Sequence, residues 1–201
     1  MFPLGTVLMP SVVLPLHVFE ERYREMIRWC LDNEPEFGVA LIERGSEVGG
    51  GDVRTQVGCV ARIVEAAEMP DGRYALIAVG TERIRVRRWL DDDPYPVAEV
   101  GAWPDPAPGA DHGERLAEVV ALLRRVLALH AEMADDVTDA TVELSDDPVL
   151  ATWQACAVAP LGPSDRHTLL GLDGPDDRVA ALDVLLRDEM DTLERRLALE
   201  D

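Results

Sequence analysis

Four histidines are the side chains best suited to acid–base or metal chemistry near neutral pH. No two of them show HxxxH or HExxH spacing. They are His17, His112, His130 and His167. The three cysteines, Cys30, Cys59 and Cys156, lie far apart and form no CxxC pair. Zinc sites typically need ligands at close, regular spacing, so we expect no metal site and no cofactor. We interpret the histidines as structural or solvated.

Paired carboxylates are the second candidate for chemistry, because one can act as a general acid and the other as a general base. The pairs fall in loops or where helices are expected to begin or end. They are Asp135-Asp136, Asp146-Asp147 and Asp176-Asp177. Carboxylates at helix termini commonly cap the helix or balance its dipole, which is the interpretation we favour. No serine lies in a GxSxG motif. We therefore predict that the protein is not an enzyme.

The chain contains no lysine, since all 19 of its basic residues are arginine. A P-loop needs its phosphate-binding lysine, so this chain contains none. A Ser–Lys dyad and a Schiff-base lysine are excluded for the same reason.

Composition narrows the class of partner. The formal net charge of −20 disfavours nucleic acid, because an acidic surface repels phosphate backbones. No apolar run approaches the ~20 residues that span a bilayer, and the first residues do not resemble a signal peptide. An odd number of scattered cysteines is typical of reduced thiols. We expect a soluble cytoplasmic protein.

The elements that would position any site begin with two short strands, 2–9 and 12–18. Pro15 predicts an edge strand or a bulge, since proline cannot donate to a ladder. From Glu20 the period becomes helical, and the predicted buried face is Tyr23, Met26, Ile27, Cys30 and Leu31. Further strands are predicted at 37–42, 55–68, 74–90 and 97–103, with bends at Gly58 and Gly80. Helices are predicted from about 113, from 147–148 to before 160, at 164–172, and from 174 onward.

The segment WPDPAPGAD, 103–111, is rich in proline and glycine and marks a boundary. We predict an α+β fold in three parts. Residues 1–103 form a β-rich barrel with one short helix, 104–112 a linker, and 113–201 a helical subdomain.

Candidate binding residues fall in three groups. Arg83, Arg85 and Arg87 alternate along one strand and should share a face, where guanidinium groups could hold acidic peptide segments or a phosphate. Neutralisation by Glu65, Glu68 and Glu99 is the structural alternative. The aromatic residues belong either to the core or a seam between the subdomains, or to an exposed apolar groove for extended peptide; they are Phe19, Trp89, Tyr95 and Trp103. The helix-start charges Glu20, Glu21, Arg22 and Arg24 are expected to be exposed.

We also make predictions for the junction at 14–23 and the loop at 44–52. The apolar residues of the junction at 14–23 are interpreted as scaffold, so Phe19→Asp should destabilise the fold if Phe19 is buried. The glycine-rich loop 44–52 is expected at the surface. Its alternatives are an anion cradle made of backbone amides or a hinge that admits a partner.

Several motifs resemble one family. FPLGTVLMPSVVLPLHVFEERYREM (2–26), FGVALI (37–42), VGCVARI (57–63), PDGR (70–73), GTERIRV (80–86) and APLGPSDRHTLLGLDGPDDRVAALDVLL (159–186) resemble the N-terminal substrate-binding domain of Lon proteases. The resemblance implies a PUA-like twisted barrel of about six strands beside a helical bundle. It also implies a non-catalytic role in recognising polypeptides. Because the sequence stops at Asp201, it resembles a stand-alone relative without ATPase and peptidase parts.

Three functions follow from these observations. The first is a module that binds unfolded or extended polypeptide, together with a protease or chaperone component. The second is RNA binding through the Arg83/Arg85/Arg87 face, because PUA-like barrels elsewhere bind RNA. The third is a small hydrolase, which would need a buried His–Asp pair or convergent carboxylates in a pocket. We favour the first.

Overall fold

The structure is a computed structural model that describes residues 1–49, 51–133 and 143–200. The chain forms two compact units, Met1–Pro104 and Asp105–Asp201. Unit 1 contains β1 (Phe2–Leu4), β2 (Val13–Val18), α1 (Glu21–Asp32), β3 (Glu36–Arg44), β4 (Val53–Glu68), β5 (Tyr74–Trp89) and β6 (Ala98–Ala102). Unit 2 contains α2 (His112–Met133), α3 (Pro148–Val158), α4 (Pro163–Leu170) and α5 (Pro175–Glu200).

The fold is mixed α+β, and the six strands of the described residues form one sheet curled into a half-barrel. The order is β1-β3-β4-β5-β2, with β6 also paired to β5. β1 runs parallel to β3, and all other pairs are antiparallel. The long β5 pairs with β2 over its first half and with β6 over its second half. β1 therefore lies at one edge of the sheet and β2 and β6 at the other, as Pro15 predicted for β2.

Gly58 and Gly80, the predicted bend points, lie where the backbone has no room for a side chain. A Cβ at Gly80 would collide with the Met9 carbonyl oxygen, and one at Gly58 would collide with the Val39 carbonyl oxygen. Gly80 lies between the β2-paired and β6-paired halves of β5, where the strand changes partner. Close backbone approach is a common reason for glycine inside a strand.

The core of unit 1 is made by inward-facing residues of β1 to β5 and by one face of α1. Tyr23, Met26, Ile27 and Cys30 of α1 are buried, as their spacing predicts. Leu31 is 40 % exposed, contrary to the prediction. Eight residues after Tyr23, a helix of about 3.6 residues per turn has rotated Leu31 to the rim of the buried face.

Apolar stripes on the helices build unit 2. α2 and α5 pack against each other, and α3 contacts both of them. The buried residues of α5 include Val179, Leu182, Leu186 and Met190, at the spacing of one helix face. The pair Asp146-Asp147 behaves as predicted, since the Asp147 side chain caps α3 by accepting from the Leu150 N–H at 2.8 Å.

The first strand is shorter than predicted, because β1 ends at Leu4. The N–H of Gly5 donates to Glu47 Oε1, and Val7, Leu8 and Met9 are buried without strand geometry. No helix within the described ranges is long and apolar enough to cross a membrane.

Candidate functional site

A cleft of about 220 Å³ lies between β1, β2, the start of α1 and the loop before β4. Its buried lining includes Phe2, Val18 and Tyr23. Its exposed lining includes Phe19 and Val48, which are 53 % and 56 % accessible to solvent. Two large apolar side chains are thus presented to solvent beside an apolar interior, and such patches often mark binding sites.

Strand alternation explains the exposure of Phe19. In β2 the even residues Leu14, Leu16 and Val18 face inward, whereas Val13, Pro15 and His17 are exposed. Phe19 follows with the parity of the exposed set, just before α1 begins. The expectation that Phe19 belongs to the buried scaffold was therefore wrong, although Leu14, Val18 and Tyr23 are buried as expected.

Aromatic stacking fixes the buried wall of the cleft. The rings of Phe2 and Tyr23 stack with centroids 4.2 Å apart. The ring centroids of Phe37 and Phe2 are 5.9 Å apart. Burial raises the pKa of Tyr23 to about 12, so its hydroxyl is neutral at physiological pH. The stacked rings therefore give the cleft a buried aromatic wall.

The glycine-rich loop supplies one side of the cleft. Glu47 Oε1 accepts from the Gly5 N–H at 2.5 Å, which fastens the loop to the end of β1, and Val48 lines the cleft. The loop carries carboxylates at Glu47 and Asp52, so it is poorly suited to cradle an anion. Gly50 lies outside the described residues.

The helix-start charges are less available than predicted. Only Glu21 is well exposed, since the side chains of Glu20, Arg22 and Arg24 are about four-fifths buried. Arg22 pairs with Glu20 at 3.2 Å and lies over the Tyr23 ring at 4.5 Å. Arg24 donates to the Gly72 carbonyl at 2.6 Å. These residues hold the junction together, because their charges are engaged within the fold.

The arginine face of β5 is arranged around Trp103. The guanidinium carbons of Arg83 and Arg85 lie 4.1 and 3.7 Å from the Trp103 ring, which is a cation–π geometry. Arg83 is buried, whereas Arg85 and Arg87 are exposed, so the three arginines predicted to share a face do not form a common exposed surface. A bulge between Val86 and Arg88 shifts the register.

The predicted neutralising carboxylates lie elsewhere. Glu99 pairs with Arg88, at 2.5 Å, rather than with the three arginines of the motif. Glu65 aligns with Ile77 and Glu68 with Tyr74, at the other half of β5. Among the described residues, Arg85 and Arg87 form no ion pair within 4 Å.

Trp89 and Tyr95 are half-buried. Trp89 lies 5.1 Å from the guanidinium carbon of Arg54, which binds the carboxylates of Asp52 and Asp92. Hydrogen bonding to Arg54 lowers the pKa of Asp92. Tyr95 packs against the core of unit 1. Neither ring lines the cleft.

One histidine in unit 2 has partners in the order of a catalytic triad. His112 Nδ1 lies 2.7 Å from Asp176 Oδ1, and its Nε2 lies 3.0 Å from Thr152 Oγ1. Thr152 is fully buried and its hydroxyl donates to the Pro148 carbonyl, so no substrate can reach it. The Gly109 N–H and the His112 ring lower the pKa of Asp176. His112, Asp176 and Thr152 thus connect the N-terminal turns of α2, α5 and α3, which is a structural role.

The other histidines and the cysteines considered in the sequence analysis lie in different parts of the two units. His17 is exposed on β2, His130 Nε2 contacts Glu189 Oε1 at 2.8 Å, and His167 is half-buried on α4. Asp135 and Asp136 lie outside the described residues. No group of three potential metal ligands occurs within the described part of the chain. Burial raises the pKa of the Cys59 and Cys156 thiols to about 12, so neither is a nucleophile.

A buried cluster of charged and aromatic groups supports unit 2. Arg178 is fully buried and donates to Asp105 Oδ1 and, at 3.3 Å, to the Leu172 carbonyl. Its guanidinium carbon lies 3.7 Å from the Trp153 ring, and Trp153 Nε1 donates to Asp105 Oδ2 at 2.8 Å. Asp105 thus satisfies two buried donors at once.

Val48 was missed as a site residue by sequence reasoning, whereas Phe19 was considered for an apolar groove but interpreted as scaffold. Val48 had one available signal, because it is the single apolar residue in the segment RGSEVGGGD (44–52). Phe19 also had one, since it breaks the even-numbered apolar pattern of β2.

Comparison with known proteins identifies the family. Residues 1–188 match the family described as the ATP-dependent protease La (LON) substrate-binding domain. Lon protease 2 of Herpetosiphon aurantiacus is 31% identical over 194 residues, covering 95% of this chain and 24% of that protein. Lon protease of Desulfovibrio desulfuricans is 27% identical, covering 92% and 21%. The chain belongs to the LON substrate-binding domain family, and it spans about a quarter of the length of these relatives.

Two solved structures share the fold. A Lon N-terminal domain protein from Xanthomonas campestris matches with a TM-score of 0.64 and 29% identity, covering 90% of this chain and 94% of that one. The N-terminal domain of the Mycobacterium avium complex Lon protease also gives 0.64, at 19% identity, covering 92% and 97%. The second likeness concerns the fold alone.

Proposed function

We propose that the protein is a non-catalytic module that binds unfolded or extended polypeptide at the cleft beside Phe19. The observation that carries the proposal is an exposed apolar cleft at the terminal strand of an open sheet, in a chain of this family. Extended peptides commonly bind by adding to sheet edges, with pockets that receive alternate side chains. The absence of lysine supports a role without ATPase or Ser–Lys peptidase chemistry in this chain.

The size of the cleft supports a side chain as its occupant. Its 220 Å³ is below the ~300–1,000 Å³ of typical small-molecule sites. A cofactor or drug-sized ligand would not be enclosed, whereas one large apolar side chain of a polypeptide would be.

The architecture we associate with this function is a PUA-like half-barrel (1–103), a linker (104–112) and a helical bundle (113–201). α2 begins at His112, the last residue of the proposed linker and one residue before the proposed start of the helical bundle. We place the protein in the cytoplasm, with a protease or chaperone component as its partner in addition to the polypeptide.

Binding of a permanently unfolded protein tests the proposal. The probe is a globular protein whose cysteines are blocked with neutral carbamidomethyl groups, titrated by calorimetry against the intact chain, with its native form as the negative control. We expect the unfolded probe to bind and Phe19→Ala to weaken binding about tenfold, because exposed aromatic anchors commonly dominate such interfaces.

The matched control is Trp29→Ala. Trp29 is 55 % exposed, almost the same as Phe19, but does not line the cleft. This substitution should leave the affinity unchanged. An equal loss from both substitutions, or no binding of the unfolded probe to the unaltered chain, would contradict the proposal.

A further inference from the structure

The outer edge of β2 has backbone groups available for a ladder. The Gly80 N–H donates to the Val12 carbonyl at 2.9 Å, which marks residue 12 as a hydrogen-bonded position. Because such positions alternate along antiparallel strands, Leu14, Leu16 and Val18 bond β5. Val13, Pro15 and His17 direct their backbone groups away from it. No strand in the described residues pairs with this edge.

Pro15 fits this arrangement without cost to the sheet. Its missing N–H falls at an outward position, where β5 needs no donor. The edge therefore offers the N–H groups of Val13 and His17 and the carbonyls of all three residues. An added strand would place every second side chain on the side of Leu16 and Val18, which line the cleft.

The charges around the cleft favour the binding of a basic segment. Glu47 is exposed at the cleft, and its hydrogen-bond donor is the neutral Gly5 N–H, which does not cancel the charge of the carboxylate. The other cleft carboxylate, Glu20, is balanced by Arg22. The whole chain carries −20, so an acidic segment would be repelled and a basic one attracted.

We propose that the occupant of the cleft is an extended segment that adds as a strand to the outer edge of β2. The segment inserts one apolar side chain into the cleft and carries a lysine or arginine beside it. This inference rests on the proposed function and adds the binding mode and the chemical class of the segment.

The test uses fluorescein-labelled synthetic peptides and the intact chain. The parent peptide alternates valine and lysine around a central phenylalanine, and a second peptide has glutamate in place of every lysine. We expect the glutamate peptide to bind at least about tenfold more weakly at low salt. The difference should shrink near ~1 M NaCl, because salt screens exposed charges.

Two N-methylated peptides test the strand geometry. Methyl groups on one alternate set of amides block the edge that faces β2, and methyl groups on the other set point to solvent. We expect one set to abolish binding and the complementary set to leave it unchanged. Glu47→Gln keeps an acceptor for the Gly5 N–H and should reduce the preference for lysine, while Glu82→Gln, an exposed control on β5, should not.

The outcomes separate this inference from the function on which it rests. Equal binding of the lysine and glutamate peptides overturns the charge preference, and equal effects of the two methylated sets overturn strand addition. In both cases binding of the unfolded protein would preserve the proposed function. Failure of the peptides and of the unfolded protein alike overturns both.

Discussion

Asp105→Ala is expected to lower the free energy of unfolding of unit 2 by about 3–5 kcal/mol, because it leaves a buried guanidinium without its counter-charge. Arg178 is fully buried, and the Asp105 side chain that pairs with it is only 9 % accessible to solvent. Trp153 Nε1 would lose its acceptor at the same time. Chemical denaturation followed by far-UV circular dichroism measures the change.

Two further variants make this result interpretable. Adding Arg178→Met to Asp105→Ala should recover much of the loss, since an apolar side chain needs no buried partner. Asp183→Ala breaks the exposed pair between Asp183 and Arg187 and should leave the denaturation midpoint unchanged. A loss for Asp105→Ala no larger than that for Asp183→Ala would show that the cluster does not stabilise unit 2.

Replacing Val18 by aspartate should lower the free energy of unfolding much more than the same replacement at its neighbour Phe19. Val18 is 1 % exposed, so Val18→Asp buries a carboxylate without a partner and should cost about 4 kcal/mol or more. Phe19→Asp places its charge at the surface and should cost about 1 kcal/mol or less. Thermal unfolding of the two variants measures both effects. The reverse order would mean that β2 presents its other face to the core.

The sequence predicted the elements well where local patterns determine them. Alternation and helical spacing identified all six strands and the five helices of the described residues, and Pro15 identified an edge strand. These features depend on neighbours a few residues apart, so a single sequence contains the relevant information.

The candidate site was predicted less well, because it depends on contacts between distant segments. The alternation of β2 places Phe19 on the outer side of the strand. Whether another element covers that side depends on contacts between distant segments. Arg83 is buried by packing with Trp103, twenty residues away in sequence, although its strand position alone indicated exposure. The Glu47–Gly5 hydrogen bond, which brings Val48 to the cleft, likewise spans 42 residues.

The central claim is that polypeptide binds at the cleft bounded by β1, β2 and Phe19. Titration of the isotopically labelled chain with the valine–lysine peptide, followed by backbone amide chemical shifts, tests it most directly. We predict that the largest shifts occur at Val13, His17, Phe19 and Val48. Shifts centred instead on Arg85, Arg87 and Gly101, with the cleft amides unmoved, would contradict the claim and move the site to the arginine face of β5.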